Sequence, residues 1–250
     1  MSASVPTGCT AGTYSGSVRR GGAIIPVVIR RARYPLRFVA THPVRAARNA
    51  VGNHPSQFAD RYLRGLRGVE IGGAAHNSFF LETVNVDLSQ TPSTSDAQLT
   101  YAGHRMPIDF VAPADDLPFP DRSHDFVLSS HVLEHLPDPI GTLYEWLRVA
   151  SRYVFVILPQ PDNEFDDGRD LAGIDELLYR HRSGLFTSPD WDQWGDHWSS
   201  WTSSSFVALC EYLRLEVLDV QDPDDKRGNG FAIVINADRG RASRLRSGET

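Results

Sequence analysis

Two strand-to-turn patterns in the first half of the chain constrain its fold most. Residues 69–73 read Val-Glu-Ile-Gly-Gly, an apolar run that ends in two glycines, and residues 84–87 read Val-Asn-Val-Asp, an apolar run that ends in an acid. Open α/β sheets bind ligands at the carboxyl ends of their strands, where a glycine turn admits the ligand and an acid binds ribose hydroxyls. The pair therefore predicts an α/β fold with a site for an adenosine-containing ligand.

Composition limits the class of protein. The chain has 250 residues, 41% of them hydrophobic, which is enough for one large domain with its own core. With a net charge of −6, the chain lacks the overall positive charge typical of nucleic-acid-binding proteins, so we predict no nucleic-acid partner. The arginines cluster in residues 19–37 and 239–246, which favours solvated tails over a binding arm.

Cysteine usage and hydropathy predict where the protein resides. The two cysteines, Cys9 and Cys210, make a disulfide framework improbable and fit a reducing cytoplasm. The sequence has no uninterrupted apolar run of membrane-spanning length and no signal-peptide pattern at its start. We therefore expect a soluble cytoplasmic protein without a membrane partner.

The chain divides into a central domain and two tails. Residues 1–22 are rich in Ser, Thr and Gly and predict a disordered tail, residues 23–237 a single domain, and residues 238–250 a basic flexible tail. Within the domain, residues 159–201 form a long insertion rich in acids and tryptophan. The apolar run Ala23–Ile29 predicts an edge strand, or an arm suited to a homodimer.

Strand and helix patterns alternate through the domain. A helix with apolar residues at helical spacing is predicted over 57–66, a second follows the Asp138-Pro139 start signal, and a third begins at Thr202-Ser203. Predicted strands cover residues 68–71, 83–87, 109–112, 125–130, 153–158, 216–220 and 231–236.

The order of these motifs resembles a known family. Glu70-Ile71-Gly72-Gly73, then Asp87, the loop 114–119, the run 129–139 and a final two-strand hairpin are similar to class I S-adenosylmethionine-dependent methyltransferases, in particular to those that methylate hydroxyls of sugars and other small molecules. The resemblance covers about residues 57–237. It implies a Rossmann-like, mostly parallel seven-stranded sheet with an antiparallel hairpin at its carboxyl-terminal end, and a lid over residues 159–201.

The resemblance also implies residues that bind S-adenosylmethionine. Glu70 would orient the turn near the methionine amino group, Asp87 would accept hydrogen bonds from the ribose, and Ser129 would lie beside the methionine part. The full implied set is Glu70, Gly72, Gly73, Ala74, Asp87, Leu88, Ala114, Asp115 and Ser129. The chain departs from the family pattern at Ala74, which stands where a second glycine is usual, and at His76, which replaces a third.

Two other interpretations of the same motifs are disfavoured. Residues 72–77 do not form the Gly-x-Gly-x-x-Gly fingerprint of nicotinamide-binding folds. The pattern His131-x-x-Glu134-His135 matches an inverted zinc-protease motif by its letters. That motif requires both histidines on one face of a helix, whereas His131 is predicted to lie at the end of a strand.

Transfer of a methyl group to a hydroxyl requires a base for the hydroxyl proton. His135 is the first candidate, since similar sugar O-methyltransferases carry a basic histidine at the corresponding position after the fourth strand. Asp162 could orient its imidazole or bind the acceptor hydroxyl, and His197 and His181 are reserve bases. The alternative for His135 is that it only packs the following turn.

The insertion is the part of the sequence most informative about the acceptor. Four of the five tryptophans, Trp191, Trp194, Trp198 and Trp201, lie there beside acids, a combination that suits sugar rings. A lid or dimer contact is the alternative. The acids Asp162 and Glu164 could hold Mg²⁺ through oxygen ligands, although a solvated acidic loop explains them too.

Three functions stay open at this stage. The first is O-methylation of a sugar, oligosaccharide or hydroxylated natural product with a histidine base. The second is N-methylation of an amino sugar or other small amine, and the third is a protein that binds S-adenosylmethionine without transferring its methyl group.

Overall fold

The computed structural model describes residues 55–73, 79–89, 107–161, 166, 168–184 and 197–238, together with the backbone of 14–20 and 23–29. The main body is a seven-stranded sheet flanked by helices. Its strands are β3 (Arg67–Ile71), β4 (Glu82–Asp87), β5 (Phe110–Val111), β6 (His124–Ser130), β7 (Ala150–Pro159), β8 (Glu216–Gln221) and β9 (Gly230–Asn236). A separate antiparallel pair joins β1 (Tyr14–Arg20) to β2 (Ala23–Ile29).

The sheet has the order β5-β4-β3-β6-β7-β9-β8. The first five of these strands run parallel, and β9 is antiparallel to both β7 and β8. The predicted seven-stranded, mostly parallel α/β sheet with a carboxyl-terminal antiparallel hairpin is therefore confirmed. Because Pro159 pairs with Gly230, the loop that joins β8 to β9 lies at the carboxyl edge of the parallel strands.

In the described part of the chain, four α-helices and a short 3-10 helix accompany the sheet. They are α1 (Gln57–Leu63), α2 (Pro139–Val149), α3 (Ile174–Ser183) and α4 (Ser203–Tyr212), with the 3-10 helix at Leu133–His135. Asp138 caps α2 as predicted, because its carboxylate accepts the N–H of Gly141 and Pro139 occupies the first turn. Thr202 caps α4 and forms a capping box with Ser205.

The core lies on both faces of the sheet. One cluster packs α2 and α4 against β6, β7 and β9 around the fully buried Trp146 and Leu143. The other packs α1 on the opposite face, where Phe58 and Phe155 meet with ring centroids 5.8 Å apart. The central strands β6 and β7 contribute to both clusters and are covered on both sides, which explains their continuous apolar runs.

Some details differ from the sequence predictions. β7 begins at Ala150, before the predicted strand start at residue 153, because Ala150 already pairs with His124 of β6. The strand β1 lies inside the segment 1–22, for which the composition predicts disorder, and its pairing with the apolar β2 supplies backbone hydrogen bonds. The boundaries of the domain and of the tails stay predictions. Within the described ranges, no helix has the length and hydropathy of a membrane span.

One predicted acceptor residue belongs to the core. Trp201 is 1% exposed and packs against Phe206, with ring centroids 5.5 Å apart. It therefore anchors the end of the insertion to α4 and is buried away from any acceptor. Trp191 and Trp194 lie outside the described residues.

Candidate active site

The glycine turn after β3 lies between the carboxyl ends of β4 and β6. Gly72 has a φ of 68°, a left-handed conformation that favours glycine, and its N–H donates to the Val86 carbonyl at 2.8 Å. A Cβ at position 72 would lie 2.6 Å from Cγ2 of Val132. The protein's own packing thus requires glycine here, in addition to the ligand approach that the sequence suggests.

Neighbouring side chains also leave no room for a side chain at Gly73. A Cβ there would lie 2.7 Å from Oδ1 of Asn85 and 2.9 Å from Cδ of Glu70. Glu70 is 3% exposed and accepts a hydrogen bond from Thr83 Oγ1 at 3.2 Å. Burial raises the pKa of Glu70 to about 7, and the nearby Lys226 cation and the Thr83 hydrogen bond oppose the rise.

Lys226 reaches this site from the loop between β8 and β9. Burial lowers its pKa to about 7, and Glu70 opposes that change. Its ammonium lies 4.7 Å from the ring centroid of Phe79. The Asp224 carboxylate fixes the loop, since it accepts the backbone N–H groups of Lys226 at 2.9 Å and Arg227 at 2.7 Å. Lys226 was not predicted from the sequence, because nothing in a polar hairpin turn indicates that its charge acts on a carboxyl group of a distant strand.

Asp87 ends β4 at the same edge. Its carboxylate is half-buried and accepts the Leu88 N–H at 2.7 Å, and its carbonyl accepts the Ala112 N–H at 3.0 Å. Burial raises its pKa, and the backbone N–H groups of Leu88 and Ser89 limit the rise. The side chain of Leu88, predicted to lie against adenine, is 70% exposed.

The loop after β5 and the end of β6 complete the predicted ligand edge. Ala114 is buried and its carbonyl accepts the Trp146 Nε1–H at 2.8 Å, while Asp115 is exposed. Ser129 pairs in register with Ile71, is fully buried, and its hydroxyl has no hydrogen-bond partner among the described residues. An unpaired buried hydroxyl next to a positive-φ glycine turn fits a polar ligand at this edge. Ala74 lies outside the described residues.

A second group of side chains follows β6. The 3-10 helix places Glu134 and His135 together, with Glu134 1% exposed and His135 Nε2 3.9 Å from Glu134 Oε1. His131 Nδ1 lies 3.5 Å from the same oxygen, too far for a close hydrogen bond. Burial acts to raise the pKa of Glu134, but the imidazoles of His131, His135 and His197 outweigh burial and lower it.

The insertion supplies the remaining member of this group. His197 is 6% exposed and its ring lies edge-on to His135, with centroids 4.7 Å apart. Its Nδ1 lies 2.9 Å from the buried carboxylate of Asp166. The Trp198 N–H donates to the Glu134 carbonyl at 2.7 Å, which docks the end of the insertion onto the 3-10 helix. The structure thus brings together His135 and His197, two of the three predicted catalytic residues.

The remaining predicted catalytic and metal-binding residues are Asp162, Glu164 and the second reserve base His181. Asp162 and Glu164 lie outside the described residues. His181, the second reserve base, lies in α3 with its Nδ1 2.9 Å from Asp138 Oδ2. That contact lowers the pKa of Asp138 against the effect of burial. His181 therefore supports the cap of α2.

Sequence comparison bears on the segment that holds the glycine turn and the 3-10 helix. Residues 68–158 match the family model of the methyltransferase domain. This segment is therefore similar to methyltransferase domains. It extends from β3 to β7 and contains Gly72, Asp87, Ser129 and His135.

Individual relatives of the methyltransferase domain are distant. The ajmaline N-methyltransferase of Rauvolfia serpentina is 29% identical over 114 residues, 45% of this chain. The aligned part spans 36% of that curated relative's length.

Two solved methyltransferase structures are among those found similar to the chain. A Thermotoga maritima protein described as a "possible histamine N-methyltransferase" is 18% identical, with a TM-score of 0.47. The alignment covers 80% of this chain and 97% of the Thermotoga maritima chain. An Aquifex aeolicus methyltransferase is 13% identical with a TM-score of 0.42, covering 70% and 83%.

The turn geometry predicts a strong cost for Gly72→Ala. The new methyl group meets Val132 and the backbone keeps a positive φ, so we expect a loss of about 2–4 kcal/mol in the free energy of unfolding by urea. Adding Val132→Ala to Gly72→Ala should relieve the contact. The double variant should then be at least about 1 kcal/mol more stable than expected from adding the effects of the two single substitutions on the free energy of unfolding. If the effects of the two substitutions on stability simply add, the proposed contact between position 72 and Val132 would be contradicted.

The raised pKa of Glu70 predicts a pH-dependent contribution to stability. The folded protein holds the proton up to about pH 7, whereas the unfolded chain releases it near 4.5. The contribution of Glu70 to stability is therefore complete below pH 4.5 and is lost as the pH rises to about 7. Between these pH values, the free energy of unfolding of the native protein, measured with urea, should fall by up to about 3 kcal/mol relative to that of Glu70→Gln. A difference that does not change with pH would contradict this.

Proposed function

We propose that this protein is a methyltransferase that moves the methyl group of S-adenosylmethionine to a hydroxyl of a small acceptor. The observation that carries the proposal is the group formed by Glu134, His135 and His197. Glu134 and His135 follow β6 within the segment that matches the methyltransferase family model, and His197 comes from the insertion. Val132, two residues before Glu134, contacts the glycine turn. The predicted cofactor edge and the group that would activate an acceptor are thus neighbours.

The residues at the edge fit the cofactor. When bound, S-adenosylmethionine supplies a methyl group already activated by a positive sulfur. Asp87 would accept hydrogen bonds from the ribose hydroxyls, and a half-buried carboxylate is suited to bind such a pair. Ser129 would donate its unpaired hydroxyl to the methionine part, and Gly72 would present its turn without a side chain.

The histidines favour a hydroxyl acceptor. A neutral alcohol must lose its proton as the bond from oxygen to carbon forms, which calls for a base. His135 is 33% exposed at its side chain and is supported by the buried Glu134 carboxylate, which stabilises an imidazolium beside it. We assign His135 as that base and His197 as the residue that packs against it.

The acceptor class is a sugar, oligosaccharide or hydroxylated natural product. Two observations support this class: the backbone N–H of Trp198 docks the end of the insertion on the 3-10 helix, and the insertion is rich in tryptophans and acids, a combination that suits sugars. A magnesium ion at Asp162 and Glu164, a homodimer through residues 23–29 and a location in the cytoplasm stay predictions.

N-methylation of an amine is the second candidate. The relative from Rauvolfia serpentina is an N-methyltransferase by name, and an amine needs desolvation more than it needs a base. In that case the histidine group would position the acceptor without taking a proton. A protein that binds S-adenosylmethionine without turnover is the third candidate.

Asp87→Ala tests cofactor binding. We expect the native protein to bind S-adenosylmethionine and S-adenosylhomocysteine in calorimetric titrations, and the variant to lose at least about tenfold in affinity because both ribose hydroxyls lose their acceptor. Asp116→Ala removes an exposed carboxylate from a neighbouring loop and is the matched control. Binding that is equal in native protein and Asp87→Ala would contradict the assigned edge.

His135→Ala separates the candidate functions. Transfer of a labelled methyl group to a panel of sugars, phenols and amines should fall by about 10²–10⁴ for hydroxyl acceptors, while binding of S-adenosylhomocysteine is retained. His124→Ala, at the opposite end of β6, is the control. Undiminished transfer to an amine would favour N-methylation, and absence of transfer by the native protein to any acceptor would favour the third candidate.

A further inference from the structure

We propose that Glu134, His135 and His197 form a binding site for a divalent transition-metal ion. Each offers one ligand atom, and the three atoms lie within 4.8 Å of one another. Ligand atoms about 2.0–2.2 Å from a zinc ion lie at most about 4.4 Å apart, so small side-chain adjustments close the site. Binding of the ion rests on this geometry alone, and its use in catalysis rests on the proposed function.

Glu134 gives the strongest reason to expect an ion. The residue is 1% exposed, and neither oxygen of its carboxylate has a hydrogen-bond partner among the described residues. Buried carboxylates are normally hydrogen-bonded, paired with a cation or bound to a metal, because an unsatisfied buried charge costs several kcal/mol. The backbone carbonyl of Glu134 accepts the N–H groups of Trp198 and Ser199, so the residue is fixed while its carboxylate points to the histidines.

His197 has the surroundings of a metal ligand. Its Nδ1 lies 2.9 Å from Asp166 Oδ2, and the Asp166 side chain is fully buried. Arg169 donates to the His197 carbonyl at 2.7 Å and lies 3.4 Å from Asp166 Oδ1, so the pair is held from the other side. A carboxylate on one ring nitrogen orients the imidazole and makes the other nitrogen, Nε2, a better metal ligand.

The ligand types select the metal. Two imidazoles and one carboxylate suit Zn²⁺, Co²⁺ or Mn²⁺, whereas Mg²⁺ prefers oxygen ligands throughout. The proposed ion is therefore distinct from the magnesium predicted at Asp162 and Glu164. Three protein ligands leave at least one coordination position for water or for an acceptor oxygen.

A bound ion would change how the acceptor loses its proton. A hydroxyl coordinated to the ion is more acidic, and it releases its proton to water as the oxygen–carbon bond forms and the sulfur–carbon bond of S-adenosylmethionine breaks. S-adenosylhomocysteine is the other product. In this form His135 is a metal ligand, and the ion performs the activation that the imidazole alone would otherwise provide.

The alternative for the same group is that the surrounding imidazoles balance Glu134 by charge without any ion. His131 Nδ1 lies 3.5 Å from Glu134 Oε1 and His135 Nε2 lies 3.9 Å from it. Protonated histidines would repel a dication, so the two accounts give opposite results when metal is added.

Titration of the full-length protein with Co²⁺ after removal of metal with a chelator tests the site. We expect one Co²⁺ to bind with visible absorption bands of a nitrogen- and oxygen-ligated ion, Zn²⁺ to displace it, and Zn²⁺ to raise the melting temperature. Glu134→Gln, His135→Gln and His197→Gln should each weaken binding by at least about tenfold. His124→Gln, which changes a histidine outside the group, should bind like the native protein.

Binding of S-adenosylhomocysteine by the same samples separates the two proposals and also reports whether each variant folds. If the native protein binds S-adenosylhomocysteine but no Co²⁺ or Zn²⁺, the metal site is overturned and the proposed function stands. Equal Co²⁺ binding by native protein and by folded variants would also overturn it, because the ion would then lie elsewhere. Co²⁺ binding that is lost in the variants, in a protein that binds no S-adenosylhomocysteine, would support the metal site and contradict the proposed function.

Discussion

The close approach of Gly72 to Val132 governs the layout of the candidate active site. No side chain fits at position 72, so the turn after β3 and the segment after β6 lie in direct contact. That segment continues at once into the 3-10 helix that carries Glu134 and His135. One steric constraint therefore sets the distance between the edge that fits S-adenosylmethionine and the group that would activate an acceptor.

Two buried carboxylates flank this contact, and each has a different partner. The charge of Lys226, in the loop between β8 and β9, opposes the rise in the pKa of Glu70. Histidines from its own segment and from the insertion lower the pKa of Glu134. Burial of a charge is costly unless an opposite charge or a metal ion accompanies it. Both partners arrive from chain segments far away in sequence, so the completed site depends on the docking of the hairpin loop and of the insertion.

The sequence predicts the sheet well, because strand periodicity and the signals of Asp138-Pro139 and Thr202-Ser203 are local. The order of motifs also points to Asp87, Ser129 and His135, and the functional roles of these residues stay predictions. Lys226 and Asp166 escape prediction, since a lysine in a polar turn and an aspartate in an acidic loop look like solvated residues. The pattern of His131, Glu134 and His135 is not a helical zinc motif, as predicted, because His131 is not in a helix. The contact between His135 and His197 depends on tertiary structure, so the sequence does not reveal it.

A crystal structure of the protein with S-adenosylhomocysteine would test the central claim most directly, namely that the ligand binds at the carboxyl edge between the glycine turn and β4. The account predicts ribose hydroxyls within hydrogen-bond distance of the Asp87 carboxylate, and the homocysteine part beside Gly72 and Ser129. The sulfur atom should face the side of the cleft that holds His135. A nucleoside bound elsewhere, or a ribose without contact to Asp87, would contradict it.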